Sequence, residues 1–335
     1  MNLRIGVIGA GNIGTYHIQR LSTKVANATV SAVFDIDTER VAAIAGETGA
    51  TPYDDAYALI RSEKVDAVVV ASPGDLHAGQ VLACIEAGKP VLCEKPLAPS
   101  TADCLKVLEA EVEAGRRLVQ IGFMRRFDPG YLDAKAALDG GEIGDGLLMH
   151  AVHRNPEVPD TFREFMAITD SVVHEIDLSR WLFGEEITAV TIRHGRSSRH
   201  APAQDPQMMY FETESGVIVD VESFVNCRFG YDVRCELVGS DGTVSVGHRA
   251  GVRHVRVGDV PNPVPADWKV RFEDAFQAEF QSWVNASRTG TPYSGASAWD
   301  GYVATAVAEA ALEALESGER VEVQLAAKPA FYEGA

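Results

Sequence analysis

The 335-residue sequence has no unbroken apolar run approaching the roughly 20 residues that a membrane span needs. From Met1 the chain passes directly into Leu3-Arg4-Ile5-Gly6-Val7, the pattern of a buried strand rather than of a leader, so a cytoplasmic protein with no membrane partner is expected. Basic residues are outnumbered: 30 Lys and Arg against 48 Asp and Glu give a formal net charge of −18. Such a field repels phosphate backbones and anionic lipid, which argues against nucleic acid as a partner. Cysteine is sparse. Cys84, Cys93, Cys104, Cys227 and Cys235 are odd in number and lack zinc-site spacing, so they read as reduced thiols in small core positions. No G-x-S-x-G elbow occurs, which argues against acyl transfer. Repeats and low-complexity tracts are missing as well, and only the end of the chain, 332–335, is expected to be loose.

What is present suits two domains. The length exceeds that at which single cores usually stop growing, and 46% hydrophobic residues suffice to fill two. In the first third, short β-branched runs (4–9, 29–34, 67–71, 90–93 and 118–122) alternate with helical patterns (13–21, 38–47, 76–87 and 102–114). This is the rhythm of a doubly wound parallel sheet covered on both faces, and it predicts a Rossmann domain over residues 1–123. Beyond Phe123 a few helices give way to alternating strands such as 207–212, 217–225 and 231–238, with a turn at Gly239-Ser240-Asp241-Gly242. Residues 124–335 are therefore expected to form an α+β domain with a large, mostly antiparallel open sheet. The alanine-rich segment 296–316 reads as a helix that packs back on the first domain. With few helical segments left to cover the second sheet, the face carrying Phe211 or Val219 is expected to be an exposed apolar patch, and hence an interface between copies.

Gly9-Ala10-Gly11-Asn12-Ile13-Gly14 is a complete G-x-G-x-x-G between a strand and a helix. The first glycine makes the turn, the second lets the backbone approach a pyrophosphate, and the third allows close helix packing. Roughly 20 residues beyond Gly14, Asp35 ends the second strand, where a carboxylate can accept from the adenine-ribose hydroxyls and repel a 2′-phosphate. NAD is thus preferred over NADP, with Arg40 the one nearby cation for a 2′-phosphate. Ser72-Pro73-Gly74-Asp75-Leu76-His77 follows the 67–71 run at the edge where ligands sit in such folds, so Ser72, Pro73 and His77 are candidate nicotinamide-side contacts. Glu94-Lys95-Pro96 follows the next strand. A lysine there can hydrogen-bond an alcohol oxygen and stabilise negative charge as a carbinol becomes a carbonyl.

A second cluster is Asp170-x-x-x-His174-x-x-Asp177. On a regular helix all three project from one face, and a histidine bracketed by carboxylates is suited to act as an acid or base. A metal site is the competing reading, but H-x-x-D offers only two ligands.

These residues resemble the glucose-fructose oxidoreductase and inositol dehydrogenase family, over essentially the whole chain. Gly122-Phe123-Met124-Arg125-Arg126-Phe127-Asp128, His153-Arg154-Asn155-Pro156 and Asn226-Cys227-Arg228-Phe229-Gly230-Tyr231-Asp232 resemble its inositol 2-dehydrogenase branch. The resemblance implies oxidation of a ring hydroxyl of a cyclitol, myo-inositol above all, with hydride passing to NAD. It assigns Lys95 to the substrate oxygen, His174 to proton removal and Asp170 to orienting the histidine or the substrate. It puts substrate contacts on Arg125, His153, Asn155 and Tyr231. Cofactor contacts are expected at Gly9, Gly11, Asn12, Ile13, Gly14, Asp35, Ser72, Pro73, His77, Glu94 and Lys95. The resemblance also implies a homotetramer, a dimer of dimers. Phe229 departs from the tyrosine expected in many inositol enzymes. Another inositol isomer, an aminocyclitol or an aldose stays open as substrate. So do an NAD-dependent glycoside hydrolase with no net redox change and a non-catalytic NAD sensor.

Overall fold

The computed structural model describes residues 1–159, 162–200, 204–247, 265 and 267–333. The chain divides into two compact units. The first comprises Met1–Met124, Phe276–Thr305 and the chain from Ala326; the second comprises Arg125–Ala275 and Ala306–Leu325.

The first unit alternates strand and helix in the expected manner. Its strands are β1 (Leu3–Ile8), β2 (Ala28–Phe34), β3 (Thr51–Pro52), β4 (Ala67–Val70), β5 (Val91–Cys93) and β6 (Val119–Ile121). Between them run α1 (Asn12–Thr23), α2 (Thr38–Thr48), α3 (Ala56–Arg61), α4 (Gly74–Glu86) and α5 (Thr101–Ala114). These six strands pair with one another in parallel, in the order β3-β2-β1-β4-β5-β6. The winding reverses between β1 and β4, and such a switch point is where open α/β sheets bind ligands. The strands lie in this sheet because their β-branched residues are buried on both faces: every residue of Ala67–Val70 is inaccessible. The helices start where Asp37, Asp55 and Ser100 accept backbone N–H groups of the first turn.

One element escaped the sequence reading. Residues 273–289 form a helix that packs Phe280, Trp283 and Val284 into the cluster built by Leu3, Ile5, Val7, Ile18 and Leu21. Fully burying side chains of that size stabilises by roughly 1.5 to 3 kcal/mol each. The end of the chain is also less loose than expected. Tyr332 is buried, and its hydroxyl donates to Glu111 at 2.6 Å; residues 334–335 lie outside the described residues.

In the second unit the strands are β7 (Gly146–Arg154), β8 (Ile187–His194), β9 (Gln207–Thr213), β10 (Ile218–Phe224), β11 (Asp232–Gly239), β12 (Thr243–Val246) and β13 (Val321–Glu322). Their order is β12-β11-β7-β10-β9-β8-β13, antiparallel throughout except for the parallel pair β7 and β10. The sheet is therefore mixed and mostly antiparallel. Helix α6 (Pro129–Asp139) precedes β7, and a π-helical stretch (Ala167–Val172) runs into α7 (Val173–Phe183).

Strand alternation decides which face is covered. Met149 and Ala151 of β7, Val219 and Val221 of β10 and Met209 and Phe211 of β9 are all buried. The patch expected at Phe211 or Val219 is thus corrected: both are inaccessible, because theirs is the inward register. The outward register carries Tyr210 and Ile218, both exposed, next to charged pairs such as Asp220 with His150 and Glu222 with Arg154. All five cysteines are buried thiols outside any disulfide.

Candidate active site

In the first unit the segments after β1, β2, β4 and β5 meet at one edge of the sheet. Gly9 adopts φ +91°, and a Cβ built on it would lie 2.4 Å from the carbonyl oxygen of Ala71. A Cβ on Gly14 would lie 2.0 Å from the carbonyl oxygen of Gly9, so helix α1 rests directly on the turn. Gly11 differs. Its Cβ would meet nothing within 4 Å, and it caps α1 without a side-chain hydrogen bond. The open space beside Gly11 at a helix N-terminus therefore fits an anionic pyrophosphate. Asn12 and Ile13 form the first turn.

Asp35 closes this cradle. Its Oδ2 accepts the backbone N–H of Ala10 at 2.6 Å and its Oδ1 that of Asp37 at 2.9 Å. A carboxylate has about four acceptor positions, so roughly two are left for ribose hydroxyls. Arg40 does not offer an uncommitted cation to a 2′-phosphate: its guanidinium lies 3.0 Å from Asp37 and 3.9 Å from Asp35. These residues fit NAD.

Ser72 and Pro73 lead into α4. Ser72 donates its hydroxyl to Gln80 Oε1 at 2.7 Å. His77 is buried, with Nδ1 2.7 Å from the carbonyl of Pro96 and Nε2 2.8 Å from that of Ser72. Its ring is engaged by backbone oxygens on both sides. After β5, Glu94 turns inward, where its Oε1 accepts from Nε2 of His17 at 2.6 Å. Lys95 follows, half-buried.

The second unit carries the remaining candidates. The π-helical stretch widens the turn ahead of α7 and ends just before His174, so the regular i, i+4 register assumed for Asp170 and His174 does not apply; such π insertions recur at functional sites. Asp170 is exposed and His174 half-buried, between buried Val173 and Glu175. Asp177 binds Arg126 through both oxygens, Nε to Oδ2 at 3.0 Å and Nη2 to Oδ1 at 2.5 Å.

Arg125, His153 and Tyr231 are all buried in unit two. Their organising partner is Glu175, which the sequence reading passed over. Glu175 pairs with Arg125 and accepts from His153 Nδ1, at 2.9 Å to Oε2. Burial disfavours the charged carboxylate, but Arg125 and His153 outweigh it and hold the group below the usual range. For Arg125 burial again opposes the charge, and Glu175 prevails, raising it further. Burial pushes the Tyr231 phenol up to about 12, so it is a neutral donor. Asn155 is half-buried and holds two segments by its backbone: its N–H donates to the carbonyl of Phe224, and its carbonyl accepts from Cys227. Phe229 stacks edge-on to Phe224 at 6.1 Å and lies under Arg154 at 5.8 Å.

A glycine-turn cradle at the switch point, a ribose-reading carboxylate and a lysine beyond β5 define a dinucleotide-dependent oxidoreductase. Comparison with known proteins narrows this. Residues 3–123 match the oxidoreductase family with an NAD-binding Rossmann fold, and residues 131–245 match the GFO/IDH/MocA C-terminal domain; the chain belongs to this family. Inositol 2-dehydrogenase 3 of Saccharopolyspora erythraea is 52% identical over 336 residues, covering 100% of this chain and 99% of its own. Inositol 2-dehydrogenase/D-chiro-inositol 3-dehydrogenase of Shouchella clausii is 44% identical, covering 99% and 97%. A crystal structure of myo-inositol dehydrogenase from Lactobacillus casei, in complex with NAD(H) and myo-inositol, superposes with a TM-score of 0.93 at 34% identity, covering 99% of this chain and 100% of that one.

Proposed function

We propose that this protein is an NAD-dependent dehydrogenase that oxidises one ring hydroxyl of a cyclitol, with myo-inositol as substrate and 2-keto-myo-inositol as product. The observation that carries this is its full-length similarity to inositol dehydrogenases, in a chain whose own sequence offers Lys95, Asp170 and His174 as the reactive set.

The cofactor is held by Gly9, Gly11, Asn12, Ile13 and Gly14 at the pyrophosphate, by Asp35 at the ribose, and by the segments at Ser72-Pro73 and Glu94-Lys95 on the nicotinamide side. When bound, NAD supplies the hydride acceptor. His174 takes the proton of the reacting hydroxyl, and Asp170 orients the histidine or the substrate. The Lys95 ammonium stabilises negative charge on the same oxygen. Arg125, His153, Asn155 and Tyr231 form the substrate wall. Asn155 is the most accessible of these, while the buried three fix its shape. Buried polar groups discriminate epimers, since a hydroxyl pointing the wrong way leaves a partner unpaired. A second substrate is D-chiro-inositol, a reading favoured by the similarity to the inositol 2-dehydrogenase/D-chiro-inositol 3-dehydrogenase of Shouchella clausii.

The protein works in the cytoplasm, in inositol catabolism, as a homotetramer. Its subunits pair through the outward face of the seven-stranded sheet, where exposed Tyr210 and Ile218 alternate with ion pairs suited to a two-fold contact. A panel of cyclitols and sugars with NAD and NADP, followed by absorbance of the reduced nicotinamide, tests the reading. Turnover confined to aldoses, or to NADP, would overturn it.

A further inference from the structure

We propose that His17 and His77 are positioning residues that brace the Glu94-Lys95-Pro96 segment from its two sides and thereby fix Lys95 for the reaction. This rests on the reading of Lys95 as the group on the substrate oxygen.

The two histidines come from different helices and meet the same three residues. His17 lies on α1, one turn past Gly14, and is inaccessible to solvent. Its ring packs against Phe280 at 4.6 Å and Phe276 at 5.6 Å, which removes its rotamer freedom. Its Nε2 donates to Glu94 Oε1 at 2.6 Å, and the other carboxylate oxygen accepts the backbone N–H of Lys95 at 3.3 Å. Gly122 closes the far side, where an added Cβ would stand 3.2 Å from the Glu94 carboxyl group.

On α4, His77 is 1% exposed and lies between the carbonyls of Pro96 and Ser72. Both partners are acceptors, so whichever nitrogen carries a proton donates. Gly74 brings the same helix against the Pro96 ring, leaving 3.3 Å for an added Cβ. Residue 94 and residue 96 are therefore each tied to a buried imidazole, and residue 95 is the one between them.

Stability alone does not explain this arrangement. Burying imidazoles and a carboxylate carries a desolvation cost, and apolar side chains of similar shape are often as stable or more so. What the polar contacts add is direction. They join the helix of the glycine turn, the Ser72 segment and the lysine segment into one body, and a displacement of about 1 Å of a reacting group lowers rates by about 100-fold.

The test is a double-mutant cycle on the holoenzyme, with His17→Asn and His77→Leu made alone and in a Lys95→Ala background. Asparagine keeps a polar group but is too short to place it where Nε2 of His17 meets Glu94, and leucine fills the space of His77 without either ring nitrogen. Each single variant is expected to lower kcat by at least about 10-fold, and the His17 variant to change the NAD Kd by less than about 3-fold. In the Lys95→Ala background the same changes are expected to lower kcat no further, because the group they position is gone. His17→Gln, whose amide reaches Glu94, is expected to restore most of the activity. Losses that multiply in the Lys95→Ala background would show a merely structural role and overturn the proposal, as would single variants with wild-type kcat. If one of the two single variants is not recovered folded, the other carries the cycle alone, since each histidine is required separately. Wild-type turnover in Lys95→Ala itself would remove the reading of the lysine, and the brace with it.

Discussion

Oε2 of Glu175 lies 2.9 Å from Nδ1 of His153, and both side chains are buried with the Arg125 guanidinium beside them. The carboxylate balances a charge that has no solvent to fall back on. Glu175→Gln removes that balance and leaves Arg125 buried and uncompensated, which is expected to cost about 3 to 5 kcal/mol in denaturant unfolding of this unit. The sign of the pH effect follows from the depressed Glu175 pKa. The contribution is present above the carboxylate's unfolded value of about 4.3 and is lost as pH falls through the lower folded value. Acid unfolding of the wild type should therefore steepen below about pH 4, and Glu175→Gln should flatten that dependence.

The empty volume beside Gly11 separates stability from binding. At φ −66° and with nothing within 4 Å of a built Cβ, Gly11→Ala fits the protein without strain. Unfolding should change by less than about 0.5 kcal/mol. The added methyl occupies the space through which the pyrophosphate approaches, so NAD affinity measured by fluorescence titration should fall by about 10-fold or more.

Asp35 holds the glycine turn and reads the ribose with the same carboxylate. Asp35→Ser should lower kcat/KM for NAD by about 10-fold or more and lift the exclusion of NADP, so the ratio of the two efficiencies should fall. A wild type that already prefers NADP would contradict the role given to Asp35.

His174→Ala removes the base, and turnover at neutral pH should drop by about 10² to 10⁴ while NAD binding stays nearly intact. Near-normal turnover would move the proton to another group.

How far the sequence carries depends on how far apart the partners are. The glycine turn and Asp35 are legible because strand, turn and helix follow one another at fixed spacing, and the parallel sheet is legible because its fully covered strands are β-branched throughout. The helix at 273–289 had a signal as well: Phe276, Phe280, Trp283 and Val284 fall on one 3.6-residue stripe. The pairings within the site had none. His17 meets Glu94 across 77 residues and Arg125 meets Glu175 across 50, and no local pattern marks either contact. The regular helix assumed around Asp170 and His174 was wrong for a related reason, since a π turn is set by packing and not by the propensity of Ala167–Val172.

The central claim is that hydride leaves a ring carbon of the cyclitol for the nicotinamide. The most direct measurement is a single turnover of the holoenzyme with NAD and myo-inositol deuterated at the carbinol carbon C2, followed by mass spectrometry of both products. The account predicts one deuterium in the reduced nicotinamide and an unlabelled ketone in equal amount. Unlabelled reduced nicotinamide, or recovered substrate with no net reduction of NAD, would contradict it.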